Sequence, residues 1–167
     1  MVRIINTGGT FNKRYDPVAG GLFVPADDAA VERAVASMEA NLGLFIGGAI
    51  YKDSLEMDDA DRDLLCEIVA KVAEERIVVV HGTDTMDKSA AALARWLGEG
   101  HGKRVVLTGA MVPFAIDPVE ATANLSAAVT ATGFLEPGVY IAMHGLVLPH
   151  DRIRKNRERG VFERVES

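Results

Sequence analysis

Ile77-Val78-Val79-Val80-His81-Gly82-Thr83-Asp84-Thr85-Met86 runs from an unbroken apolar stretch straight into a loop rich in hydroxyls. Four β-branched residues with no polar alternation read as a strand buried on both faces, the pattern of a parallel sheet covered by helices. The glycine that follows lets the backbone turn tightly and lets another group come close. A second arrangement of the same kind opens the chain, where Val2–Ile5 leads into Thr7-Gly8-Gly9-Thr10. Parallel strands deliver their carboxyl ends to one edge of the sheet, so the two loops share a crevice there. Hydroxyls, an aspartate and backbone N–H groups gathered in one crevice suit attack on a carbonyl.

Apolar runs alternate with helical patterns along the whole chain. Strands are predicted at Val2–Asn6, Leu44–Tyr51, Ile77–Val80, Val105–Thr108 and Val139–Met143. Helices are predicted at Asp27–Leu42, where Val31, Ala34, Val35 and Met38 form one stripe, and at Asp59–Glu75 behind an acidic first turn. Two more follow at Asp87–Leu97 and Pro118–Thr132, the last with Asp117 as N-cap, Pro118 at N1 and Glu120 at N3. Alternation of this kind gives an α/β fold: a doubly wound, mostly parallel sheet with helices on both faces, Rossmann- or flavodoxin-like, in a single domain over 1–167. Phe11–Gly21 reads as an exposed, mobile loop. Pro149–Ser167 mixes arginines with acids and reads on composition as a solvated face or tail.

Composition narrows the function. With 167 residues, 49% of them hydrophobic and 25% charged, the chain can bury a real core. A formal net charge of −6 opposes a nucleic-acid binder, which presents a basic face. The single cysteine, Cys66, excludes an internal disulfide and sits among Leu64, Leu65 and Ile68 as a core residue. No stretch has the length of a membrane span, and the opening apolar run is too short for a signal peptide, so a cytoplasmic protein is expected. His81, His101, His144 and His150 lack zinc-motif spacing, and no metal or other cofactor is expected. His101, His144 and His150 read as surface or turn residues.

Thr7-Gly8-Gly9-Thr10 after the first strand, His81-Gly82-Thr83-Asp84-Thr85-Met86 after a central one and Val105-Val106-Leu107-Thr108-Gly109-Ala110-Met111 after the next resemble the bacterial-type L-asparaginase family. Asp53-Ser54 with Met57, Asn124, and Lys155 within Arg152-Ile153-Arg154-Lys155 fall in the family's order. The resemblance spans almost the whole chain but only the first of the family's two usual domains, with no C-terminal domain expected here. It implies hydrolysis of a side-chain amide to acid and ammonia, with L-asparagine and possibly L-glutamine as substrate. Thr10 matches the nucleophile, Tyr15 the neighbour that helps deprotonate it, and Thr83 with Lys155 the second half of the machinery. The resemblance alone leaves open which of the two threonines is acylated. Asp84 is implied to hold the substrate α-ammonium and Ser54 its α-carboxylate. Gly9, Gly82 and Ala110 are implied to line the substrate with backbone, and His81 is implied to be a packing residue of its motif.

Two departures bear on specificity. Leu55 stands where longer members usually carry a polar residue, which implies weaker affinity or an altered Asn/Gln preference. In full-length relatives a neighbouring subunit's C-terminal domain completes the pocket. A homo-oligomer, dimer or tetramer, is therefore expected, with either another copy closing the site or the pocket left open. Two other readings compete: a glutaminase-type module feeding ammonia to a partner enzyme, and a non-catalytic amino-acid-binding domain. Retention of Thr10, Thr83 and Lys155 together opposes the second, because binding alone has no use for all three.

Overall fold

The computed structural model describes residues 1–166. Its core is a six-stranded sheet of β1 (Val2–Gly8), β4 (Leu44–Lys52), β5 (Arg76–Val80), β6 (Arg104–Thr108), β7 (Gly138–Met143) and β8 (Leu146–Pro149). The strands lie in the order β4-β1-β5-β6-β7-β8; the first five are parallel and β8 returns antiparallel to β7. From β1 the chain goes to β4 on one side, then crosses back to β5 on the other. The order therefore reverses between β1 and β5, the flavodoxin-like switch point, and the two Gly-Thr loops leave the sheet from those two strands.

Helices α1 (Ala29–Val35) and α4 (Pro118–Ala131) cover one face, and α2 (Asp59–Lys71) and α3 (Met86–Leu97) the other. The strands sort their side chains by the two-residue pleat. Ile4, Val78, Val80 and Val106 pack toward α1 and α4, while Ile5, Ile77, Val79 and Leu107 pack toward α2 and α3. Cys66 is buried in the second cluster, and its apolar surroundings push the thiol up to about 11, so it is an inert packing residue.

Local chemistry sets the helix starts. Asp58 accepts from the Asp61 N–H while the Asp61 carboxylate accepts from the Asp58 N–H, a reciprocal capping box. Asp117 caps α4 through the Val119 N–H. Glu120 does not complete a box there; its carboxylate reaches instead to the loop at Met111 and Val112. The first predicted helix is shorter than its apolar stripe suggests. Beyond Val35 three-residue hydrogen bonds enter, Met38 N–H to Val35 and Asn41 N–H to Met38 beside a four-residue bond from Leu42 N–H to Met38, and the chain continues as turns to Asn41.

Two segments depart from their expected irregularity. Within Phe11–Gly21, β2 (Arg14–Asp16) pairs with β3 (Gly21–Phe23) as a small antiparallel hairpin. Within Pro149–Ser167, β9 (Ile153–Asn156) pairs with β10 (Val161–Arg164), and Ile153 and Phe162 are buried against the sheet, so this run is not a solvated tail. Its apolar residues are spaced too sparsely among charges to signal a strand pair from composition. Ser167, the last residue of that run, lies outside the described residues.

Replacing the α2 cap, Asp58→Ala, is expected to cost about 1 kcal/mol, read as a lower urea midpoint at unchanged slope.

Candidate active site

The crevice is built on backbone meeting backbone. Gly9 has φ +72, and a Cβ on it would lie 2.4 Å from Gly82 Cα and N. A Cβ on Gly82 would lie 2.6 Å from Ser54 Cβ, and one on Gly109 2.3 Å from the His81 carbonyl. Four loops, following β1, β4, β5 and β6, thus nest with no room for a side chain at Gly9, Gly82 or Gly109. Hydrogen bonds fix the nest. Thr7 Oγ1 donates to the Val80 carbonyl at 2.8 Å, Gly9 N–H to the Lys52 carbonyl at 2.9 Å, and Thr85 Oγ1 to the Ser54 carbonyl at 2.8 Å. The register shift between Asn6 and Gly8, with Ile50 and Tyr51 at positive φ, is what delivers the Lys52 carbonyl to Gly9.

Beneath the loop lies His81, fully buried. Its Nδ1 is 2.7 Å from the Gly82 carbonyl, which only accepts, so Nδ1 carries the proton; Nε2, 2.7 Å from Ser89 Oγ, then accepts from that hydroxyl. Burial pushes the imidazole down to about 4, with the Arg62 charge acting in the same direction. His81 is a neutral strut of the fold, which agrees with its reading as a packing residue.

The chemistry gathers where β9 crosses the mouth of the β5 loop. Lys155 Nζ donates to Thr83 Oγ1 at 2.8 Å and to Asp84 Oδ1 at 2.8 Å. The lysine side chain is 14% exposed and that of Asp84 27%, so the pair is largely shielded yet open to a cleft of about 130 Å³. The N-cap of α3 is Thr85, and the Asp84 carboxylate faces the hairpin. Arg157 joins it, placing Nη2 3.0 Å from the Asp84 carbonyl and Nη1 3.3 Å from Oδ1. Arg154 lines the same cleft, whereas Arg152 lies in a separate groove with Leu148 and Arg164.

The other positions are placed as follows. Thr10 is half-buried and opens a short turn beside the Gly9–Gly82 contact; its carbonyl accepts from the Lys13 N–H. Ser54 is buried, its Oγ 3.4 Å from the Thr85 N–H. Ala110 is buried with its methyl in the core, so only its backbone can face a ligand. Tyr15 is 62% exposed on β2, and no hydrogen bond joins it to Thr10. Leu55 is 65% exposed beside the crevice. Lys13 and Asp53 form a 2.7 Å ion pair. Burial alone would raise the Asp53 carboxyl, but Lys13 and the Leu55 N–H hold it below the usual range. Sequence reasoning did not find Arg157, Glu120 or the Lys13–Asp53 pair. Each acts across the chain, and only Glu120 carried a local signal, which pointed to a cap. Among the described residues, no three His, Cys, Asp or Glu side chains group as a metal-binding set, and no helix is long and apolar enough to cross a membrane.

Fold and crevice together define a doubly wound α/β protein with threonines and a lysine at its switch point. Residues 1–163 match the family described as asparaginase, N-terminal, and the chain belongs to that family. It is 33% identical over 134 residues to a glutamyl-tRNA(Gln) amidotransferase subunit of Pyrobaculum aerophilum, covering 78% of this chain and 31% of the relative. It is 26% identical over 160 residues to the L-asparaginase of Thermococcus kodakarensis, covering 95% and 48%. A solved structure of a probable cytoplasmic L-asparaginase from Campylobacter jejuni superposes with a TM-score of 0.81 at 26% identity, over 98% of this chain and 52% of that one. The chain thus spans about a third to a half of the length of these relatives.

Two outcomes follow from the geometry. Gly9→Ala or Gly82→Ala is expected to separate the loops and destabilise the protein by at least about 1–3 kcal/mol, seen as a fall in Tm. His81, with its folded pKa lowered to about 4 from 6.5, contributes stability that is complete above pH 6.5 and is lost as pH falls through 4. The loss amounts to about 3 kcal/mol. Urea unfolding from pH 7 to 4 checks it, and a His81→Asn variant lacks that part of the slope.

Proposed function

We propose that the chain hydrolyses the side-chain amide of L-asparagine to L-aspartate and ammonia through a threonine acyl-enzyme. The observation that carries this reading is Lys155 Nζ, 2.8 Å from both Thr83 Oγ1 and Asp84 Oδ1, two residues whose loop packs directly against the loop of Thr10. Thr10 Oγ attacks the amide carbon, the C–N bond breaks, and ammonia leaves with the hydroxyl's proton. Water then cleaves the ester, releasing aspartate and restoring Thr10. Thr83 and Lys155 relay protons in both halves, and Asp84 keeps the lysine in place.

Substrate recognition in this reading uses the carboxylates and backbone of the nest. Lys155 and Arg157 both meet Asp84 Oδ1, which leaves Oδ2 for the substrate α-ammonium. Ser54 addresses the α-carboxylate. Backbone N–H groups about Gly9 and Gly82, with the Gly109–Ala110 wall, face the developing oxyanion. Tyr15 reaches Thr10 when the β2–β3 hairpin folds over the crevice. The protein works in the cytoplasm, without a cofactor, as a dimer or tetramer whose second copy closes the open side.

A second reading has its own support, since several similar proteins are amidotransferase subunits. In that reading the chain acts on glutamine-type amides and passes ammonia to a partner.

Ammonia release with L-Asn and, separately, L-Gln decides between them. Activity on L-Asn is expected, lost by roughly a thousandfold or more in Thr10→Ala and in Thr83→Ala. Activity on L-Gln alone supports the second reading, and silence on both from folded protein overturns the amidohydrolase assignment. Leu55→Gln is expected to lower KM for L-Asn, by about tenfold if the added contact is charge-assisted.

A further inference from the structure

Lys155 sits on a two-stranded hairpin. Among the described residues β9 pairs only with β10, and an isolated two-stranded unit is marginal in water without an anchor. Ile153 and Phe162 bury their side chains against the sheet, which holds the hairpin down but does not by itself fix its register to a fraction of an ångström. The main chain of 153–164 forms one hydrogen bond to the rest of the protein among the described residues. Phe162 N–H donates to His144 Nδ1 at 3.2 Å. Phe162 is the residue paired with Lys155 across the hairpin, and its N–H faces away from β9, so the bond pins β10 from outside at the level of the lysine.

The ring that receives it is itself held. His144 and Gly145, both at positive φ, form the tight turn between β7 and β8. His144 N–H donates to Asn124 Oδ1 at 3.0 Å, and Asn124 Nδ2 donates to the Gly109 carbonyl at 3.0 Å. Because Phe162 supplies a donor, Nδ1 must accept. Nε2 therefore carries the proton and donates to Glu120 Oε1 at 3.1 Å. Glu120 also accepts from Met111 N–H at 2.6 Å and Val112 N–H at 3.1 Å. The His144 and Phe162 rings meet edge-on with centroids 6.0 Å apart. One carboxylate thus ties the loop after β6, the β7–β8 turn and the lysine-bearing hairpin into one unit.

We propose that His144, oriented by Glu120, is a positioning residue that sets Lys155 against Thr83 and Asp84 by pinning β10 through the Phe162 N–H. The proposal rests on the reading of Lys155 as part of the reaction machinery, and its effect is on rate rather than on substrate binding.

The test exploits the two ring nitrogens. In His144→Asn the amide oxygen takes the place of Nδ1 and keeps the Phe162 bond; in His144→Gln the amide takes the place of Nε2 and keeps only Glu120. Three quantities are followed at matched Tm: hydrogen exchange of the Phe162 amide, the NMR shift of the Lys155 Cε–H group, and kcat with KM for ammonia release. His144→Gln is expected to raise Phe162 exchange and move the Lys155 signal toward free lysine, with kcat down about tenfold at unchanged KM. His144→Asn is expected to restore all three. Should His144→Gln not fold, an amide-to-ester exchange at Phe162, made by peptide ligation, removes the same donor and must shift the Lys155 signal likewise. An unmoved Lys155 signal on loss of the bond overturns the proposal, whatever the activity. Wild-type protein inactive on both amides, with the Lys155 shift still governed by His144, overturns the amidohydrolase reading and leaves the positioning intact.

Discussion

Everything at the crevice depends on two polypeptide backbones being allowed to touch. Gly9 and Gly82 meet with no space for a Cβ on either, and Gly82 in turn meets Ser54. A side chain at Gly9 pushes the first loop off the β5 loop, and one at Gly82 pushes the β5 loop off Ser54. Such contact is available only where parallel strands end side by side and the chain leaves them in opposite directions, as β1 and β5 do. The fold supplies the switch point, and the glycines let it close. His81 props the arrangement from below as a neutral ring, because its only ready protonation site already accepts from Ser89.

Charge is distributed with the same economy. Lys155 is shielded and has two close partners, the Thr83 hydroxyl and the Asp84 carboxylate. The Arg14–Asp27 pair, by contrast, is nearly half exposed and contributes no more than about 1 kcal/mol. Arg157 reaches both the carbonyl and the carboxylate of Asp84, so the hairpin grips the β5 loop through two cations. Removing Asp84 therefore leaves two positive groups together near the threonine, a larger disturbance than the loss of one salt bridge.

Much of this was legible in the chain as written. The central strands announced themselves as Val- and Ile-rich runs, Asp58 and Asp117 marked their helix starts, and the two Gly-Thr loops located the crevice and its family. The tail misled on composition, because Ile153 and Phe162 are too widely spaced among charges to suggest buried strands. Glu120 misled differently: its position three residues into a helix fits a capping box, yet its carboxylate serves a loop nine residues back. Helix α1 stopped early because the chain tightened after Val35 although its apolar stripe ran on.

Strands, turn residues and the available chemical groups are written along the chain, because strand, helix and cap preferences act between neighbours a few residues apart. Tertiary structure alone decided the partners. Lys155 meets Thr83 and Asp84 from more than seventy residues away, and His144 receives the Phe162 N–H from a separate hairpin. Hydrogen bonds have a range of about 3 Å, and no periodicity along the chain encodes which distant groups will come within it.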